Sequence, residues 1–150
     1  QRTFIFPKKG DASPHWMKQQ GDIFFKRGDY RSATNAYTEA IDGSDRLFLA
    51  ALSNRAAARL KLGLFKLALD DCDEGLALIP EPVVTEEVMM MRVRLLSRKT
   101  EALYREGRYI EALQTASELL KYMRENELLQ SDVGTLMALA GVSPDSINSE

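Results

Sequence analysis

Five cationic or amide side chains, with the carboxylate of Asp22 among them, have the types and spacing to form a site for a carboxylate. Lys18 and Asp22 are four residues apart, and so are Arg94 and Arg98. On a helix each pair projects from one side. Asn54 falls between the two pairs along the chain, with Lys61 further on. Arginine offers a planar fork of donors and lysine a mobile charge, both suited to carboxylate oxygens. Catalysis finds no comparable set. The single histidine, His15, falls in the first turn of a predicted helix and reads as a surface or capping residue. No histidine-based triad, cysteine–histidine metal pattern or glycine-rich phosphate loop occurs. No catalytic residue, metal or cofactor is therefore expected. Asp70, Asp71, Asp73 and Glu74 read as a solvated helix face rather than an acid–base pair.

The elements that must position these groups are announced by an internal repeat. Three segments read glycine, any residue, aromatic, then alanine three further on: Gly28-Asp29-Tyr30 with Ala33, Gly63-Leu64-Phe65 with Ala68, and Gly107-Arg108-Tyr109 with Ala112. They are spaced 35 and then 44 residues apart. A helix–turn–helix repeat of about 34 residues gives this, with ten extra residues in the second join. Glycine adopts the left-handed conformation that ends the first helix of a pair. The aromatic fills the angle between the helices, and alanine allows the second helix to approach closely.

Apolar spacing agrees with helices. Trp16, Ile23 and Phe24 share one face, as do Ala33, Ala36, Tyr37, Ala40 and Ile41, and Leu69, Cys72, Leu76 and Ile79. Ser13-Pro14 starts a helix, Pro80-Glu81-Pro82 breaks the chain, and Thr85-Glu86-Glu87 begins a long helix with acid in its first turn. The reading is all-α: a solenoid of three helix–turn–helix pairs near 14–27 and 30–42, 46–62 and 65–78, and 85–106 and 109–126. A shorter helix near 130–140 caps the open end. Residues 1–12 form an extended arm, 13–141 the repeat domain, and 142–150 a tail. The ten extra residues lengthen the start of the third pair, where Met89-Met90-Met91 serves either ordinary packing or an adaptable contact.

Composition adds limits. A formal net charge of −2 argues against wholesale nucleic-acid binding. No apolar run is long enough to span a bilayer, and Phe4, Ile5 and Phe6 are too few for a signal core. The lone Cys72 cannot form an internal disulfide and reads as a small core residue, which fits a reducing compartment such as the cytosol. Charge also divides by helix. The three first helices (16–27, 46–61, 88–106) hold 12 Lys and Arg against 3 Asp and Glu, whereas the second helices (30–41, 65–78, 109–125) hold 4 against 8. First helices line the concave side of such a stack, so the groove is expected to be basic and to attract an acidic peptide.

These residues resemble the tetratricopeptide-repeat co-chaperones with a carboxylate clamp. Leu52-Ser53-Asn54-Arg55-Ala56-Ala57-Ala58 followed by Leu62-Gly63 is similar to that family's second repeat. The resemblance, over residues 14–125, implies docking of the acidic C-terminal tail of heat-shock protein 90 or 70. Lys18 then matches the first clamp lysine, Asn54 the central asparagine, and Arg94 and Arg98 the distal cations. Asp22 departs, because the family has asparagine there. A carboxylate at that place cannot donate to the ligand, at a loss on the order of 1.5–3 kcal/mol. Lys18 and Lys61 are expected to offset this by neutralising Asp22. Trp16-Met17-Lys18 with Gly21 and Phe25, Phe4-Ile5-Phe6-Pro7, and the insertion from Pro82 to Thr100 are similar to the dynein axonemal assembly factor 4 family. That likeness implies a cytoplasmic co-chaperone in pre-assembly of dynein arms. The alternative is a scaffold with a degenerate clamp, which binds another assembly factor or itself.

Overall fold

The computed structural model describes residues 13–44 and 49–143, so the expected arm, the expected tail beyond residue 143, and Arg46 lie outside the described residues. Seven helices and no strands occur there: α1 (Pro14–Lys26), α2 (Tyr30–Asp42), α3 (Leu49–Lys61), α4 (Phe65–Leu78), α5 (Glu86–Arg105), α6 (Tyr109–Tyr122) and α7 (Glu127–Ala140). Several begin where a side chain supplies a partner for a free N–H group. The Ser13 hydroxyl accepts from Trp16 N, Asp29 from Ser32 N, Thr85 from Val88 N and Asn126 from Leu129 N, at 2.9–3.3 Å. Within each pair the turn is the predicted one: Gly28, Gly63 and Gly107 have φ of 78°, 75° and 74°. Ala33, Ala68 and Ala112 are fully buried where the paired helices touch. The aromatics sit in the angle, with Tyr30 edge-on to Phe25 at 5.1 Å and Tyr109 beside Tyr104 at 6.0 Å.

The pairs stack in order, α2 on α3, α4 on α5 and α6 on α7, and α3 also meets α1 and α5 directly. The first helices therefore form one continuous inner face. One core joins Ala33, Tyr37, Ala40, Ala51 and Ala58. A larger one runs from Leu69 through Leu96, Leu103 and Leu113 to Leu136 of α7.

Four expectations need correction. α6 stops at Tyr122, and Asn126 starts α7 earlier than expected, so the capping helix has 14 residues, as many as α6. Ile23 is 41% exposed, off the buried face of α1. Asp71 does not share the solvated face of its neighbours. It is 1% exposed and is held by Arg55 (Nε 3.0 Å, Nη2 2.6 Å) and Arg59 (Nη1 2.9 Å). The charge division is the fourth. Much of it neutralises itself across the helix stack, for Arg55 and Arg59 serve Asp71, Lys99 pairs with Asp73 at 2.7 Å, and Arg92 pairs with Glu81 and Glu118. Acids outside the first helices thus consume four of the cations that a count by helix assigns to the groove.

Candidate functional site

On the inner face, a pocket of about 270 Å³ opens between α1, α2, α3 and α5, lined by Asp22, Phe25, Lys26, Tyr37, Asn54, Ala57 and Arg98. Three of the six sequence-predicted site residues, Asp22, Asn54 and Arg98, line it. Lys18 joins through its ion pair with Asp22, Nζ to Oδ2 at 2.8 Å. Lys61, the last residue of α3, and Arg94, one turn before Arg98, are exposed and line no part of it. The expected neutralisation of Asp22 by Lys61 is not found; Lys18 alone provides the pair, because it stands one turn from Asp22 on the same helix.

Local folding brings these groups together. Gly21 lets α2 approach so closely that a Cβ there would lie 2.5 Å from the Tyr37 ring. Tyr37, 1% exposed, thereby reaches the next residue along, and its hydroxyl donates to Asp22 Oδ1 at 2.6 Å. Asn54 Nδ2 donates to the same oxygen at 3.0 Å. Burial first, then the bond to Asp22 and its charge, holds the Tyr37 phenol well above its usual range, so the phenol is a donor. Arg98 donates Nη1–H to Ser53 Oγ of α3. Burial, and less strongly the like charge of Arg94, lowers its guanidinium from the usual value, while the Cys72 thiol opposes this.

The pocket is therefore two-sided. One side is a carboxylate, Asp22, already served by a phenol, an amide and an ammonium. The other is cationic: among the described residues, Lys26 and Arg98 have no carboxylate within ion-pair distance, and neither do Lys61 and Arg94 outside the pocket. Lys26 and Tyr37 were not expected here. Lys26 carried a signal, since 18, 22 and 26 continue one helical face. Tyr37 read as a packing residue, which it also is; nothing in the sequence marks the aim of its hydroxyl. No group of acidic, histidine or cysteine residues among the described ones is arranged to hold a metal ion, and no helix there is long and apolar enough to cross a membrane.

Comparison with known proteins places the fold. No family model matches the chain. The chain is 32% identical over 125 residues to dynein axonemal assembly factor 4 of Pongo pygmaeus, a match covering 83% of this chain and 29% of that protein. The first tetratricopeptide-repeat domain of Spaghetti (RPAP3), solved bound to the HSP90 peptide SRMEEVD, superposes with a TM-score of 0.71 at 24% identity, covering 85% of this chain and 94% of that one. The chain is a tetratricopeptide-repeat domain resembling dynein axonemal assembly factor 4. The second such domain of human RPAP3, in complex with the HSP70 peptide SGPTIEEVD, gives 0.67 at 23% identity, with 83% and 98% covered. At these identities the two structures establish the fold. The repeat domain spans less than a third of the length of the relative it matches.

Proposed function

We propose that this repeat domain is a co-chaperone module whose inner face docks the acidic C-terminal tail of heat-shock protein 90 or 70, in the cytoplasmic pre-assembly of axonemal dynein arms. The observation that carries the reading is Arg98. It is half-buried, pinned to Ser53 and, among the described residues, without a carboxylate partner, in the pocket that also holds Asn54 and Lys26. A partly desolvated guanidinium held in place loses little freedom on binding and offers a carboxylate more than a mobile surface charge does. Arg94 and Lys61 add positive potential along the approach. The neighbouring folds that hold SRMEEVD and SGPTIEEVD, both ending in Glu-Glu-Val-Asp, support the same class of ligand.

Isothermal titration calorimetry with SRMEEVD, its C-terminally amidated copy and the Arg98→Ala protein tests this. Binding that weakens at least about ten-fold on amidation and on Arg98→Ala is the expected result. Equal binding of both peptides by both proteins would sink the reading.

Asp22 favours a second reading, because it already takes the donors of Asn54 and Lys18. On that reading the domain is a scaffold for another assembly factor or for itself, using the surface around Met89, Met90 and Val84, which are 39%, 48% and 82% exposed. Neither peptide would then bind, and sedimentation would show self-association, or an assembly partner would be retained through α5.

A further inference from the structure

Three donors converge on Asp22, and neither of its oxygens is left bare. Oδ1 takes the Tyr37 hydroxyl at 2.6 Å and the Asn54 amide at 3.0 Å, and Oδ2 takes the Lys18 ammonium at 2.8 Å. Lys18 and Asp22 together carry no net charge. A ligand carboxylate that approaches Lys18 meets the Asp22 carboxylate in the same place, and like charges so close disfavour each other.

One turn further along α1 the balance reverses. Lys26 is four residues beyond Asp22 and projects from the same side of the helix. It is exposed, lines the pocket and, among the described residues, has no carboxylate within ion-pair distance. The wall beside it is uncharged, made by Phe25 and Ala57. Across the pocket stands Arg98, held to Ser53. The lining thus offers two unspent cations, one from α1 and one from α5, and a single carboxylate that Lys18 already neutralises.

A ligand that ends in aspartate brings two carboxylates in its last residue, the chain terminus and the side chain. SRMEEVD and SGPTIEEVD both end so. Two carboxylates and two unspent cations match one to one. A helical turn is about 5.4 Å and an extended residue about 3.3–3.6 Å, so moving the acidic end from the level of Asp22 to that of Lys26 slides the ligand by about one and a half residues.

We infer that Lys26 is the α1 residue that binds the ligand, and that Lys26 and Arg98 each hold one carboxylate of a C-terminal aspartate, one turn along α1 from the place that Asp22 blocks. This rests on the docking role proposed above and names the contacts that carry it. Lys18 is then a positioning residue, which neutralises Asp22 and does not touch the ligand. The domain selects tails whose last residue carries two carboxylates over tails with the terminal one alone.

The test is titration calorimetry of the whole domain with SRMEEVD, its C-terminally amidated copy, and SRMEEVN, which keeps the chain terminus but loses the last side-chain carboxylate. The proteins are wild type, Lys26→Ala, Lys26→Arg, Lys18→Ala, Arg98→Ala, and Asp22→Asn with and without Lys26→Ala. Lys26 is exposed, so its replacement leaves the fold intact. A charge-assisted contact is worth about ten-fold in affinity, so each altered probe should bind wild type about ten-fold more weakly than SRMEEVD. Lys26→Ala should weaken SRMEEVD by about the same factor and abolish one of the two penalties, and Arg98→Ala should abolish the other. Lys26→Arg should keep both. Lys18→Ala should weaken all three probes alike, by about three-fold, because it uncovers the charge of Asp22. In Asp22→Asn, where Lys18 is released to the ligand, adding Lys26→Ala should cost no more than about three-fold.

If Lys26→Ala binds like wild type and Lys18→Ala removes a penalty, the ligand sits at Lys18, and the seat at Lys26 is overturned while the docking role stands. Weaker binding by Lys26→Ala with both penalties intact would leave Lys26 a source of general attraction and equally overturn it. If SRMEEVD does not bind wild type, or binds Arg98→Ala unchanged, the docking role itself fails and takes this inference with it.

Discussion

Asn54 Nδ2 donates to Asp22 Oδ1 at 3.0 Å, across the gap between α3 and α1. The amide best placed to receive a ligand's terminal carboxylate thus already serves a carboxylate of its own chain. Tyr37 and Lys18 complete the internal set at 2.6 and 2.8 Å. An incoming acidic end must either displace these donors or bind on the cationic side alone.

Replacing Asp22 by asparagine should therefore tighten carboxylate binding. The new side chain would still accept from Tyr37 through its oxygen, would turn an amide toward the ligand and would release Lys18. A hydrogen bond to a charged group contributes about 1.5–3 kcal/mol, so the affinity of Asp22→Asn for SRMEEVD should rise roughly ten-fold or more by titration calorimetry. Unchanged or weaker binding would mean that Asp22 does not compete with the ligand.

The buried Asp71 sets up a stability prediction. Asp71→Ala removes the carboxylate that Arg55 and Arg59 share beneath α3, and breaking a buried pair in this way costs about 3–5 kcal/mol. Asp73→Ala removes a pair whose carboxylate is 58% exposed, and a loss of about 0–1 kcal/mol is expected. Urea unfolding of the two variants should separate them clearly; similar midpoints would contradict the assignment.

Two glycines should respond to alanine with opposite signs. At Gly21 the new methyl meets the Tyr37 ring at 2.5 Å, and overpacking of this kind costs about 1–3 kcal/mol. At Gly134, within α7, nothing lies within 4 Å and φ is not positive, so alanine should add about 0.4–1 kcal/mol by restricting the unfolded chain. Thermal melts of Gly21→Ala and Gly134→Ala check both signs.

Cys72 should be inert until the domain opens. Burial pushes its thiol up to about 12, with nearby Asp71 and Asp73 adding to the rise while Arg98 opposes it. The folded value lies above the unfolded one, so this contribution to stability is full below the unfolded thiol's pKa and is lost as pH rises toward about 12. A disulfide reagent at about pH 8, below even the free thiol's usual range, should label the thiol only at the rate of unfolding. Prompt labelling of the native domain would show an accessible thiolate.

The repeat was legible because each turn depends on a glycine that must take positive φ and an alanine that must be small. Both needs are local and recur three times. The capping helix was read too short because α7 owes its early start to one side chain, Asn126, bonding Leu129 N. The site was less legible. Spacing of four brought Lys18 to Asp22, but which cation serves which acid is settled between helices. Asp71 shows this: its sequence neighbours Asp70 and Asp73 are exposed, and its depth depends on how α4 rotates against α3. Tyr37's aim at Asp22 depends likewise on the closeness of α1 and α2.

Arg55 is bound on both sides, Nη1 to Thr38 of α2 at 3.1 Å and the rest of its fork to Asp71 of α4. One guanidinium thus ties the first repeat to both helices of the second. Opening either repeat would strand it, so the middle of the stack should exchange its amide hydrogens as a single unit. The α7 end has no such tie among the described residues. There the chain should fray first.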